Sequence, residues 1–440
     1  MSIYKDCDIR GVYGRDLTEA EMRDIGRAVG TQLAGRTIVV GGDFRTHTPA
    51  LKAALLEGLL ECGAQVTDVG QLSTPQLYFS KRYLDSYASA QVTASHNPAQ
   101  YNGLKLMFGK EPTGPEQMRA LEQRVHTKAF AFAQGSCRQV STDAAYFAML
   151  TRGFPSIRPL KVVIDAGNGA MSEAAPRVMR ALGLEAVPLF CTYDGTFPNR
   201  DPNPAVRAHL TALCKSVVDA GADFGVAFDG DGDRAVFVDA AGEILSAEES
   251  MVIFIRHLLK PGESVVYDLK CSSILARAVK ERGGTAYMER SGHGFIRQHF
   301  LQIGSVLAGE VSGHFFFREL GGDDGLYALV RMAEILGTSQ NSLRDLLAGV
   351  QYTAITPDIR VPAAPEEIAR VFDAMERWAA AQHADISRLD GVRAQLRDGS
   401  WVLLRRSITE PAYTLRLEAA DEAALAALKQ QVAAALAISI

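Results

Sequence analysis

The sequence predicts an α/β protein built from three topologically similar units with mixed, mostly parallel sheets, followed by a smaller C-terminal α+β domain. Two observations carry that reading. First, short β-rich apolar runs that stop at an aspartate recur along the chain: Thr37 to Asp43, Lys161 to Asp165 and Ser264 to Asp268, their aspartates 122 and then 103 residues apart. Second, each run is followed by a helix-like stretch and another apolar strand that delivers a polar loop, at Ser95 to Pro98, Asp229 to Arg234 and Glu310 to His314. Runs hydrophobic on both faces and alternating with helices favour parallel sheets, whose ligands bind beyond the carboxyl ends of the strands. The three polar loops stand where ligands go.

The chain's 440 residues make about three domains' worth at ~150 residues each. With 47% hydrophobic and 22% charged residues, disorder, collagen and coiled coil are excluded. A net charge of -5 and a pI near 6.0 give no basic field for a phosphate backbone, so nucleic acid is not the expected partner. No stretch has the length and apolarity of a signal peptide or membrane span, and a cytoplasmic protein is expected, with no membrane partner. The six cysteines form no CxxC pair, so neither a disulfide framework nor a zinc site is indicated, and buried free thiols are expected.

The elements follow in order. Thr18 with Glu21 reads as a capping box opening a helix to about Leu33, which Gly35 can close. The first unit takes residues 1–140, the second 141–243 and the third 244–353. Pro357, Pro362 and Pro365 then read as a linker into the fourth domain, 354–440. That domain shows a helical pattern from Glu366 to about Gln382 and strands around Val392 to Leu396, Trp401 to Arg405 and Tyr413 to Leu417. Asp398-Gly399 reads as a turn, and a last helix runs from Asp421 to about Ala435.

Four segments carry chemistry. Phe224 to Arg234 is an apolar strand ending in Asp229, Asp231 and Asp233. Carboxylates so close repel unless a divalent cation sits among them. A calcium EF-hand loop is excluded, because Arg234 and Ala240 stand where it needs glycine and glutamate. Gly230 and Gly232 wrap the backbone more tightly than a solvated acidic turn requires, so a magnesium site is favoured. Thr93 to Pro98 alone also reads as a polar turn; a hydrolase elbow is absent, and a phosphorylated Ser95 offers an anion to share the cation. In Gly309 to His314, extended backbone would turn Glu310 and Ser312 to one side, as paired sugar hydroxyls require, and ordinary loop polarity is the alternative. Arg405 to Pro411 offers a guanidinium and two hydroxyls to a phosphate dianion, or is a charged strand end.

Taken in order over the whole chain, these segments closely resemble the α-D-phosphohexomutase family, within it the bacterial phosphomannomutase/phosphoglucomutase group. Asp8 to Val12, Tyr101 to Lys105, Asp268 to Ser272 and Arg290 to His293 extend the match. The resemblance implies four domains around a central cleft. It implies a reversible phosphoryl shift between C6 and C1 of mannose or glucose phosphates through a phosphorylated Ser95 and a hexose bisphosphate, with glucose 1,6-bisphosphate or an equivalent hexose bisphosphate as activator. It makes Asp229, Asp231, Asp233 and a Ser95 oxygen the Mg²⁺ ligands. Arg10, His96, Lys105, Arg234 and His314 become candidates for proton transfer or electrostatic stabilisation. Lys270, His293, Glu310, Ser312, His314, Arg405, Ser407 and Thr409 become substrate contacts. The expected partners are small hexose phosphates, and the chain is expected to be a monomer or homodimer.

Three departures stand out: Cys7 where relatives carry tyrosine, Ile408 where asparagine or glycine is usual in the clamp turn, and Val311 where methionine or glutamine is common. Phosphoglucosamine mutase, a magnesium-dependent sugar phosphatase and a non-catalytic sugar-phosphate binder are the alternatives. Against the binder stand Ser95 and the three aspartates, for which it has no need.

Overall fold

The computed structural model describes residues 2–407 and 411–439. Its first three sheets repeat one topology. In the first, Thr37–Gly42 lies between parallel neighbours Gln65–Gln71 and Ala88–Val92, and Tyr101–Phe108 turns back antiparallel to the latter. In the second, Lys161–Asp165 lies between Glu185–Leu189 and Phe224–Phe228, with Ala235–Asp239 antiparallel. In the third, Ser264–Asp268 lies between Thr285–Glu289 and Leu307–Gly309, with Phe315–Phe317 antiparallel. All three sheets are mixed. The first adds Asp8–Val12 and Ser136–Gln139 at its two edges.

Each unit is longer than the sequence suggests. Between the two apolar strands lies a helix, a further strand and a second helix, rather than one helix. In the second and third sheets that extra strand is the edge, Glu185–Leu189 or Thr285–Glu289, and its residues are half-buried or exposed. An edge strand needs no continuous apolar run, which is why the pattern does not reveal it.

The recurring aspartate has a physical cause. Asp43, Asp165 and Asp268 are all buried, and the Oδ1 of each accepts the backbone N–H two residues on, from Arg45 at 3.0 Å, Gly167 at 2.8 Å and Lys270 at 3.0 Å. Each closes an Asx turn that swings the chain off the carboxyl end of its strand.

The first helix, Glu19–Leu33, has its capping box: Glu21 N–H donates to Thr18 Oγ1 and Thr18 N–H to Glu21 Oε2. Ala34 rather than Gly35 is the first left-handed residue after it.

In the C-terminal domain Ala412–Ala419 is flanked by Trp401–Arg406 on one side and by Ala354–Ile355 and Ile359–Pro362 on the other, all antiparallel. Helices Pro365–Ala381 and Glu422–Leu436 share one core with this sheet. The segment expected as a linker is therefore part of the sheet. Pro362 ends an edge strand and Pro365 occupies the first turn of a helix, both places where a missing N–H is harmless. All six cysteines are free, but only Cys62 and Cys271 are buried; Cys7, Cys191 and Cys214 are half-buried and Cys137 is exposed on the edge strand Ser136–Gln139, against the expectation of buried thiols. Among the described residues no helix is long and apolar enough to cross a membrane.

The apolar cores show which domains are packed together. A single apolar cluster runs from Tyr146 through Phe254 and Phe315 to Leu347, binding the second and third units together, whereas the first and the last each keep their own. The last domain meets the third through a small patch, Leu269 with Trp401 and Leu403, and through Glu418. That buried carboxylate accepts from Trp401 Nε1 at 2.7 Å, Thr353 Oγ1 at 2.6 Å, Ser273 N at 3.0 Å and Ser272 Oγ at 3.2 Å. Ser273 Oγ donates to it as well, so removing it takes the acceptor from five donors, of which Ser272 Oγ and Thr353 Oγ1 keep each other at 3.2 Å. Glu418→Ala is expected to lower the unfolding free energy by about 3 kcal/mol in denaturant titration; a loss below about 1 kcal/mol would mean that water replaces the carboxylate and that the joint does not depend on it.

Candidate active site

The polar loops at the strand ends of the first three units meet over one cleft. Ser95 follows the strand Ala88–Val92 and sits in a left-handed conformation, φ 49°. Its Oγ donates to Asp229 Oδ2 at 2.7 Å, across the boundary between first and second units, and lies 3.3 Å from His96 Nδ1. Glycine permits the approach. A Cβ on Gly230 would stand 2.5 Å from the Ser95 carbonyl oxygen, and Gly232 takes φ +80°.

Asp229, Asp231 and Asp233 are fully buried, and ligand oxygens of the three lie within 4.8 Å of one another. Lys105, from Tyr101–Phe108, bridges two of them: its Nζ is 2.7 Å from Asp231 Oδ2 and 2.5 Å from Asp233 Oδ2. Thr74 Oγ1 donates to Asp231 Oδ2 at 2.5 Å. Burial, and then the other two carboxylates, push Asp229 up to about 8. Burial works the same way on Asp231 and Asp233 and is the largest single influence on each, but Lys105 together with Thr74 at Asp231, and Lys105 together with His314 and Arg234 at Asp233, keep them below the usual range. Among the described residues, Asp231 Oδ1 is buried with no hydrogen-bond donor, and Asp233 Oδ1 has only His314 Nε2 at 3.3 Å. A set of hard oxygen donors with lone pairs left over fits a divalent cation of the magnesium class.

The third unit closes the far wall. Glu310, Ser312 and His314 lie on a turn, not on extended backbone, with Gly313 N–H donating to the Glu310 carbonyl. The turn still brings them together. Ser312 Oγ donates to Glu310 Oε2 at 2.8 Å, and His314 Nδ1 lies 2.9 Å from the same oxygen. Burial alone would discharge His314, but Asp233, with hydrogen bonds to Asp233 and Glu310, raises it to about 10. His293 stacks on it at 5.7 Å. Arg234 first, then burial, holds His96 well below its ordinary value, so it is neutral. Arg10 is paired with Asp8 at 2.8 Å, and its buried Nη1 has no acceptor.

The cleft encloses about 840 Å³, and Arg10, Ser95, His96, Lys105, Arg234, His293 and His314 all line it, as does Cys7. Other expected contacts stand back from this wall. Glu310 and Ser312 sit behind His314, and Lys270 Nζ is paired with Asp358 Oδ2 at 3.0 Å at the joint with the last domain. Arg405 is held by Asp390, Nε to Oδ2 at 2.9 Å, and Ser407 Oγ accepts from Arg360 Nη2 at 3.2 Å. Ile408 and Thr409 lie outside the described residues.

Sequence reasoning missed Thr74, Arg45 and Arg200. Arg45 and Arg200 are buried arginines, each paired with a strand-ending aspartate, Asp43 or Asp165, and donating to the loop beside it. Only Asp43-Phe44-Arg45 gave a local signal, an arginine two residues beyond the repeated aspartate.

A serine facing three buried carboxylates, over a polar cleft assembled from repeated α/β units and completed by an α+β domain, defines the four-domain phosphohexomutase class. The comparisons agree domain by domain. Models of the phosphoglucomutase/phosphomannomutase α/β/α domains I, II and III match residues 1–132, 144–242 and 246–352, and that of the C-terminal domain matches 358–435. The chain is 38% identical to the phosphomannomutase/phosphoglucomutase of Pseudomonas putida, covering 97% of this chain and 94% of the relative. It is 36% identical to the phosphoglucomutase of Neisseria meningitidis, covering 99% and 96%. The crystal structure of a phosphoglucomutase/phosphomannomutase family protein from Burkholderia thailandensis superposes with a TM-score of 0.92 at 35% identity, over 99% of this chain and 98% of that one. The chain belongs to the phosphoglucomutase/phosphomannomutase family.

Lys105→Met strips the bridging cation from two buried carboxylates. Metal-free protein is expected to lose about 3 kcal/mol of stability, and added Mg²⁺ to restore most of it. Equal melting temperatures for variant and parent in EDTA would show that Lys105 does not balance the aspartates.

Proposed function

We propose that the chain interconverts the 1- and 6-phosphates of mannose and of glucose, with Ser95 carrying the phosphoryl group in transit. The observation that carries this reading is the Ser95 hydroxyl 2.7 Å from Asp229, beside a three-carboxylate cation site. In the forward half-reaction the P–O bond to Ser95 breaks as a P–O bond to a sugar hydroxyl forms, giving a hexose 1,6-bisphosphate. The hydroxyl proton passes to a ring nitrogen of His96, which is neutral and on the cleft wall, since His314 already carries its proton. The bisphosphate turns, its other phosphoryl returns to Ser95, and the proton is given back.

Asp229, Asp231 and Asp233 with a Ser95 oxygen would hold Mg²⁺, which when bound withdraws charge from the phosphoryl group. Arg10, Lys105 and Arg234 set positive charge around the transferring group. His293, Glu310, Ser312 and Lys270 orient the sugar. Arg405, Ser407 and Thr409 hold the phosphate that is not being transferred; to do so Arg405 exchanges Asp390 for the ligand.

After incubation with glucose 1,6-bisphosphate, intact mass is expected to show one added phosphate that Ser95→Ala abolishes, with turnover reduced by at least ~10³-fold. A Ser95→Ala variant turning over at the wild-type rate would overturn the reading. Chelation with EDTA is expected to abolish mannose 1-phosphate and glucose 1-phosphate isomerisation in a coupled assay, and Mg²⁺ to restore it; full activity in EDTA would remove the metal from the proposal.

A further inference from the structure

We infer that Arg45 is a positioning residue for Ser95, fixing the nucleophile's backbone from a site that no substrate reaches. This rests on the reading that Ser95 carries the phosphoryl group. Arg45 follows the strand Thr37–Gly42 and is 1% exposed. Its Nη2 donates to the carbonyls of Ser95 at 2.7 Å and Asn97 at 2.5 Å, and its Nη1 to those of Pro98 at 2.9 Å and Tyr101 at 3.1 Å. Nε lies 3.2 Å from Asp43 Oδ2. One guanidinium thus gathers four carbonyls of the loop that bears Ser95.

The other end of the Ser95 residue is held by the same pair. Ser95 N–H donates to Thr93 Oγ1 at 2.9 Å, and Thr93 Oγ1 donates to Asp43 Oδ2 at 2.7 Å. Asp43 therefore fixes the amide side of Ser95 through Thr93, and Arg45 fixes its carbonyl directly. Such a grip is needed because Ser95 is left-handed, φ 49°, a state unfavourable for a residue with a Cβ, which relaxes unless its surroundings hold it. Four converging carbonyl oxygens also need four donors, which the buried guanidinium supplies from one point.

The second unit seals the site. Phe197 lies over the guanidinium at 4.9 Å, Tyr193 stacks on Phe44 at 3.7 Å, and a Cβ on Gly195 would come within 2.3 Å of Thr46 N. Lysine cannot replace this arginine. Its ammonium is a point with three donors, whereas a planar fork is needed to reach four acceptors on one side and a carboxylate on the other.

Arg45→Lys keeps the buried charge and decides the matter, with Leu55→Ala, a cavity in the core of the same unit, as the destabilised control. Arg45→Lys is expected to lower kcat by ~10²-fold with KM within about threefold, since the nucleophile is displaced while the sugar contacts stay. Uptake of phosphate on Ser95 from glucose 1,6-bisphosphate, followed by intact mass, should slow in step with kcat. Leu55→Ala should lose at least as much thermal stability and retain its kcat. An Arg45→Lys enzyme that takes up phosphate and turns over like the wild type overturns the inference, as does a kcat that merely tracks stability in both variants. A wild-type chain that takes up no phosphate removes the Ser95 reading itself, and this inference with it.

Discussion

Three ionisable carboxylates on five residues of one loop, none of them reached by water, are the constraint to which the rest of the molecule answers. Such a group of charges is intolerable in a low-dielectric interior unless positive charge is brought to it. The second unit supplies only Arg234, 3.8 Å from Asp229. Lys105 comes from the first unit and His314 from the third, so neutralising one loop draws three domains to one point. The first unit has its own apolar core, separate from the one that runs through the second and third. At the aspartate loop its attachment is polar, through Lys105, Thr74 and Ser95, while Phe44 on Tyr193 and Phe79 on the shared core join it elsewhere. The contacts that place Ser95 are thus among those that join the domains.

Much of this was legible in the chain. The three repeated aspartates marked real strand ends because each closes a local turn, and local turns leave local signals. Ser95, the three aspartates and His314 could be found because each stands within a few residues of a strong apolar strand. What was hidden is what depends on distant partners. The edge strands Glu185–Leu189 and Thr285–Glu289 lack apolar periodicity because only part of each is covered. Arg200 reaches Asp165 from 35 residues away, a pairing no spacing rule contains. Prolines at 357, 362 and 365 read as breakers, yet two of them sit at an edge-strand end and in a first helical turn, where tertiary context makes them acceptable. Glu310 and Ser312 meet as expected but through a turn, because Gly313 at φ +89° bends the chain back to His314.

The two arginine–aspartate pairs behind the site repeat at the level of support what the sheets repeat at the level of topology. Arg45 with Asp43 grips the serine loop, and Arg200 with Asp165 donates to the Phe228 carbonyl at the start of the aspartate loop. The third unit has no such arginine on its aspartate. Asp268 instead receives Ser291 Oγ at 2.7 Å, and its loop is tied by Gly292 N–H to Glu310 at 2.8 Å. Charged scaffolding thus stands behind the two loops proposed to perform transfer, and neutral donors tie the one proposed to hold the sugar.

The Arg405–Asp390 pair has a consequence for selectivity. In its proposed role Arg405 does not wait for ligand as a bare cation in water; it is already satisfied by a carboxylate of its own domain. Capture there is an anion exchange, governed by the difference between two partners rather than by the strength of one. A phosphate dianion brings more charge and more acceptor oxygens than the carboxylate it displaces, while an unphosphorylated sugar brings hydroxyl oxygens but no charge. In that proposed role the resting ion pair would act as a threshold that a neutral hexose does not cross, discriminating before any hydroxyl of the ring is read.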